Sequence, residues 1–393
     1  MDLYQPGGSP RVDVMAIYLI VLLCILNHAA FSGSRVVMTL YAIELGANPF
    51  GIGVLVSFYA LCPLLLAIYA GKLIDRVGAH APMLAGTAGL IVGFALPVLI
   101  PSLVTLYVSA LLLGTSFMFF FVAVQGTTGA VGKPEDRARN YGLLSIGFSI
   151  AGFLGPLTAG FAIDALSYRK ALLVVSIGAV VSIILQRLRP DMIPRHQAPR
   201  ANASEQSFMD LLHIPSLRRT FIASGFLSGA WDLYTFYLPV YAHGIGLSAS
   251  SIGMILATFA AATLCIRVFL PMMLKYRDEI RILTAAIFIA SAAYLLFPFF
   301  TNPWAIAGIS FMLGLGLGTG QPISMNLIYT LAPQGRTSEA AGLRVTVNNM
   351  THVTIPLIFG GIGSTLGFTS VFMSNAAVLF AGGLLNNRSV QRK

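Results

Sequence analysis

Charge is what this chain has least of. Only 10% of its 393 residues are Asp, Glu, Lys or Arg, 56% are hydrophobic, and the mean hydropathy is +0.82. A water-soluble domain is nearer one quarter charged, so a soluble globular or disordered protein is excluded. Cysteine is also scarce. Cys24, Cys62 and Cys265 all lie in apolar runs, with no metal-ligand spacing and no partner in a polar loop. Neither a disulfide framework nor a metal site is expected from them. The Met and His residues are scattered rather than paired on one helix, which argues against a copper route. No phosphate-cradling glycine loop and no nucleophile constellation is present. The chain therefore reads as no enzyme, with no cofactor and no metal.

What it has in quantity is long apolar runs. A bilayer needs about 20 apolar residues per helix. Divided on that basis, the chain gives about twelve spans, roughly 14–41, 49–70, 81–101, 103–126, 139–163, 168–189, 217–241, 249–273, 281–300, 304–330, 339–365 and 368–387. This predicts an all-α integral membrane protein with the lipid bilayer as its main solvent. Nineteen of the 24 Lys and Arg fall on the side of the termini, while the opposite loops hold only Arg169 and Lys170. By the positive-inside rule both termini are cytoplasmic, in a multi-pass protein of the cytoplasmic (inner) membrane. The same asymmetry explains the net charge of +10 without a nucleic-acid partner.

Between two of the runs lies the most charged short stretch, Gly71-Lys-Leu-Ile-Asp-Arg-Val-Gly-Ala-His80. It reads as a loop at the membrane surface, with Gly71 and Gly78 allowing a tight turn. Gly71, Leu73, Asp75, Arg76 and Gly78 resemble the loop motif Gly-x-Leu-x-Asp-Arg-x-Gly-Arg-Lys of the major facilitator superfamily. Ala79 and His80 depart from it. The resemblance implies a conformational latch in which Asp75 faces the N-terminal end of the eleventh helix, where the helix dipole favours an anion. The loops Pro134-x-x-Arg137 and Pro333-x-x-Arg336 repeat, and the resemblance to the superfamily implies that Arg137 and Arg336 tie these loops to neighbouring helix ends.

The two halves overlay at an offset of 200 residues. Gly46 falls on Gly246, Ile52-Gly53 on Ile252-Gly253, Gly114 on Gly314, Gly142 on Gly342, Pro156 on Pro356 and Gly160 on Gly360. Glycine and proline set close contacts and kinks, so their recurrence implies a repeated backbone. Two six-helix pseudo-repeats of this kind are the major facilitator fold. The expected division is 1–189, a cytoplasmic linker at 190–216, and 217–393. Within the linker, Phe208, Leu211 and Leu212 have helical spacing, which suits a short helix lying on the inner leaflet; a plain flexible linker is the alternative.

In the fifth span, Gly155, Pro156 and Gly160 resemble the helix-crossing signature of drug–proton antiporters of the superfamily, with Ala151 and Ala159 where that pattern has Gly. Ionisable groups inside spans are costly and are functional candidates. His28, Ser32 and Arg35 share one face of the first span. Trp231 and Asp232 lie in the seventh, Asp232 at the repeat position of Ser32. Arg344, Asn348 and His352 recur at helical spacing in the eleventh. The resemblance places the first and seventh helices along a central cavity, so these eight residues are the candidate substrate or proton pathway. A buried carboxylate must pair or take a proton; for Asp232, Arg35 is one candidate partner.

These features predict a monomeric secondary transporter that moves a small organic solute by alternating access, with protons as coupling ions and efflux as the direction. Uptake of an anionic metabolite through Arg35 and Arg344 is the alternative within transport. A non-transporting membrane sensor is the alternative from another class.

Overall fold

The computed structural model describes residues 10–190, 210–333 and 336–390. Among them all regular structure is helical: α1 (Pro10–Glu44), α2 (Pro49–Val77), α3 (His80–Leu99), α4 (Leu103–Ala130), α5 (Arg137–Ala165), α6 (Tyr168–Leu188), α7 (Asp210–His213), α8 (Pro215–Gly244), α9 (Ala249–Tyr276), α10 (Glu279–Leu296), α11 (Pro303–Gly318), α12 (Gly320–Leu331) and α13 (Thr337–Val390). In lipid a helix satisfies its own backbone polar groups, which is why apolar runs of this length fold this way. Ten stretches among the described residues are long and apolar enough to cross a membrane. One of them covers α11 and most of α12 together as Pro303–Ile328, and another is the 46-residue Gly342–Asn387. That last stretch is broken at Gly367, whose φ of 79° is not helical. With the division there, and with the more polar α8 counted, the helices accord with twelve spans.

The stretch from Gly71 to His80 is a correction to the expected loop. α2 continues to Val77 and α3 begins at His80, so only Gly78 and Ala79 connect them. Gly78 makes the turn with φ 82° and its amide donates to the Ile74 carbonyl at 2.8 Å. Gly71 is helical, and no atom lies within 4 Å of where its Cβ would stand. Gly71→Ala is therefore expected to be neutral or to stabilise by up to about 1 kcal/mol. Gly78→Ala is expected to cost about 1–2 kcal/mol, because the left-handed conformation penalises a Cβ. Thermal unfolding of the two variants in detergent checks this; equal shifts would contradict the placing of the turn.

The expected linker helix also differs. Phe208 lies outside the described residues. Leu211, in α7, is fully buried and packs with Leu217, Phe221, Ile328, Ala340 and Leu343. The end of the linker is thus part of a protein core and not a helix resting on the leaflet.

The repeat is visible in backbone detail. Gly46 and Gly246 both have φ 85°. The amides of Leu45 and Ile245 each bond the carbonyl four residues back, at Tyr41 and Tyr241, over 3.0 Å. Ala47 bonds to Ala42 at 2.9 Å and Leu247 to Ala242 at 3.0 Å, which closes the same glycine-terminated helix cap twice.

The chain forms two compact units. The first comprises Met1–Ala47, Phe58–Arg200 and Ser248–Gly253; the second comprises Asn48–Ser57, Ala201–Leu247 and Met254–Lys393. Each unit therefore includes the opening turns of the second helix of the other repeat. Glycines account for this. In the second unit the Cα of Gly53 faces the Pro356 carbonyl, and Gly360 approaches Pro49. In the first unit a Cβ on Gly253 would stand 2.5 Å from the Pro156 carbonyl oxygen and 3.3 Å from the Gly160 Cα. Lipid offers no hydrophobic drive for helix association, so close backbone contact of this kind carries much of the packing.

Candidate functional site

The candidate polar groups of the second unit lie on α8, α12 and α13. α8 and α13 run parallel here, because Ser224 and Asp232 meet Arg344 and His352, each pair 120 residues apart. The Asp232 carboxylate is bonded to Nδ1 of His352. Its side chain is 3% exposed and that of His352 is 36% exposed, so the imidazole is the accessible end of the pair. Asp232 thus has a partner within its own unit. The backbone carbonyl of Asp232 accepts from Thr235 Oγ1 at 3.1 Å.

Two turns away on each helix, Arg344 Nη1 donates to Ser224 Oγ at 3.4 Å and to Ser324 Oγ at 3.2 Å. Ser224 Oγ in turn donates to Asn348 Oδ1 at 3.1 Å. Arg344 is buried and so hydrogen-bonded. Arg344, Asn348 and His352 therefore share one face, as their spacing predicted. Ser224 and Ser324 were not singled out from the sequence. Serine is common in apolar helices, and the one available signal was that Ser224 precedes Asp232 by eight residues. Trp231 does not join the polar set; its ring meets Phe259 edge-on at 4.7 Å.

In the first unit, His28 sits between Phe117 and Phe148, with ring centroids at 5.3 and 5.0 Å. Its Nδ1 is buried without a hydrogen-bond partner, and so is Nε of Arg35. Ser32 Oγ donates to the Ala151 carbonyl at 3.2 Å, which places it in the crossing of α1 and α5. Gly155 belongs to that crossing: a Cβ there would meet Ser32 Oγ and the Ala29 carbonyl oxygen. Gly160 instead faces the Ala249 carbonyl, while the Pro156 carbonyl faces Gly253. The three signature residues thus serve two separate close contacts. Ser32 and Asp232 are repeat mates, so the ionisable pair stands where the other half uses a hydroxyl on a backbone carbonyl.

The residues expected to form the latch are spread along one end of several helices. Asp75 and Arg76 lie in the last turn of α2, with Arg76 exposed. Arg137 Nε donates to the Gly129 carbonyl at 3.1 Å, tying the start of α5 to the end of α4. The amide of Arg336 bonds to the Pro333 carbonyl at 3.0 Å. Among the described residues no group of three or more His, Cys, Asp or Glu could hold a metal ion, and the three cysteines are free thiols.

Known proteins resemble this chain in sequence, and solved structures resemble it in fold. The multidrug resistance protein MdtG of Dickeya zeae is 23% identical over 396 residues, covering 96% of this chain and 95% of that protein. The class C tetracycline resistance protein of Escherichia coli is 24% identical over 327 residues, covering 79% of each. Among solved structures, a peptide transporter POT in complex with sulfate superposes with a TM-score of 0.81 at 14% identity, covering 100% of this chain and 96% of that one. A bacterial homolog of the human lysosomal transporter Spinster superposes with a TM-score of 0.78 at 12% identity, covering 98% and 99%. The profile of the Major Facilitator Superfamily matches residues 20–354. Repeated glycine contacts, paired six-helix sequence halves and polar groups buried in apolar helices thus have one common source: the chain is an integral membrane transporter belonging to the major facilitator superfamily.

Proposed function

We propose that this transporter exports a small organic solute across the cytoplasmic membrane in exchange for protons, by alternating access and as a monomer with both termini inside. The observation that carries the reading is the Asp232–His352 pair, two titratable groups in contact within membrane-spanning helices, one buried and one accessible. Such groups are expensive in lipid and persist where they do work. Their summed charge changes by one when a proton enters, and that change is what couples a proton to a conformational equilibrium. Drug-resistance proteins among the relatives support an amphipathic organic substrate. Asp75, Arg76, Gly78, Arg137 and Arg336 act at the cytoplasmic ends of their helices as the latch. The test is reconstitution in liposomes with an imposed pH difference and a panel of amphipathic drugs. Accumulation that ignores the pH difference would exclude proton coupling.

Arg344, a buried cation bonded to Ser224 and Ser324, favours a second reading, uptake of an anionic metabolite with Arg35. The two readings separate on Arg35→Gln and Arg344→Gln. Under the efflux reading the affinity of Arg35→Gln for a neutral or cationic lipophile stays within about threefold of the parent, because no charged hydrogen bond to the solute is lost. Under the uptake reading each variant loses roughly tenfold or more in affinity for anions, the worth of such a bond. Direct binding measurements decide between them.

A further inference from the structure

The first amides of any helix lack carbonyl partners within it, and at α9 three of them, those of Ala249, Ser250 and Ser251, find other acceptors. Ile252 N closes the first helical bond onto the Ser248 carbonyl at 3.0 Å, and Ser251 N bonds to Ser248 Oγ at 3.3 Å. The remaining two are taken by a carboxylate from far away in sequence. Asp164, near the end of α5, accepts from Ala249 N through Oδ1 at 3.1 Å and from Ser250 N through Oδ2 at 2.7 Å. A carboxylate bonded to two amides at a helix N-terminus meets both the unpaired donors and the positive end of the dipole. The nearby cation Arg169 is occupied elsewhere, donating through Nε to the Val98 carbonyl at 3.0 Å.

The repeat supplies the comparison. The corresponding place on the other half has Ser364 for Asp164 and Pro49 for Ala249. Proline has no amide hydrogen to offer, and α2 is capped by its own Asn48, whose Oδ1 accepts from Gly51 N at 2.8 Å. Both places keep the close glycine contacts, Gly160 on Ala249 and Gly360 on Pro49. One of two otherwise matched contacts therefore carries an ionic tie. α9 leaves the first unit at Gly253 and continues in the second. Asp164 thus holds the one part of α9 that belongs to the first unit.

We infer that Asp164 is a releasable clasp on α9: it holds the opening turn of that helix against α5, and the clasp lets go when this end of the transporter opens. The inference rests on alternating access but on no particular solute. A carboxylate that is exposed at the surface, as Asp164 is, can exchange its two amides for water. That makes it a tie of moderate strength and not a permanent joint.

The test uses the full chain, purified in detergent, with Cys62 and Cys265 replaced by Ala and Ile252 replaced by Cys. Ile252 is fully buried beside the clasp, and the native Cys24 is buried in the core of the first unit. Maleimide labelling of the two thiols is followed separately by mass spectrometry. Asp164→Ala is expected to speed labelling at position 252 by about tenfold, the order set by loss of a charged helix cap, with Cys24 unchanged. Asp164→Asn keeps one acceptor without the charge, and should fall between; it serves as the readout if the Ala variant does not fold. An unchanged rate at 252 overturns the clasp, as does a parallel rise at Cys24, which would mean general loosening. Because labelling needs no solute or proton gradient, failure of the efflux reading would leave this result standing, and the reverse also holds.

Discussion

Asp232→Asn is expected to abolish accumulation driven by a pH difference while solute exchange at equal pH continues. The carboxylate is almost wholly buried and its partner is His352. An unpaired charge at such a depth costs several kcal/mol, so the cycle must either keep the pair or neutralise it with a proton. Asparagine mimics the neutral acid in shape and still accepts a hydrogen bond from the imidazole, so the fold and the solute route remain. What it cannot do is bind and release a proton. A one-unit pH difference is worth about 1.4 kcal/mol per proton, or about tenfold in accumulation. The variant should lose that factor and reach equal concentrations on the two sides. His352→Gln should lose it as well if the proton resides on the pair. The measurement is both transport modes side by side in liposomes containing parent or variant. If Asp232→Asn still concentrates solute against its gradient, coupling resides elsewhere, and the buried His28 becomes the group to examine.

The second large effect concerns stability. Gly114→Ala and Gly314→Ala should each destabilise by about 1–3 kcal/mol, the usual cost of overpacking. A Cβ on Gly114 would collide with the Tyr59 carbonyl, with its carbon 2.7 Å away. A Cβ on Gly314 would lie 2.5 Å from the Phe259 carbonyl oxygen and 2.8 Å from Ala262 Cβ. The obstacles are largely backbone, so the paired helices would have to move apart. Gly308→Ala, with nothing within 4 Å of its Cβ, is the matched control and should be neutral or slightly stabilising. Thermal unfolding in detergent reads all three. Equal melting temperatures for Gly114→Ala and the control would show that the crossing is not limited by backbone contact.

Much of this protein is determined by its sequence alone, because the signals involved are local or periodic. Scarce charge and long apolar runs require helices in lipid. Glycines and prolines recurring at a fixed offset require a repeated backbone, and the matching turns at Gly46 and Gly246 follow from φ values that few other residues tolerate. The common face of Arg344, Asn348 and His352 follows from helical spacing. Which groups meet is set instead by long-range packing. Asp232 pairs with His352 across 120 residues, and Asp164 reaches Ala249 and Ser250 across 85 and 86. Ser224 and Ser324 become partners of Arg344 through α8 and α12 packing on α13. Periodicity tells which side of a helix a residue occupies, but the neighbour on that side depends on how deeply the crossing glycines let two helices approach. The same limit explains the stretch after Gly71. Its charges mark a membrane surface, yet helix hydrogen bonds carry α2 on through Val77, until Gly78 supplies the left-handed turn that ends it.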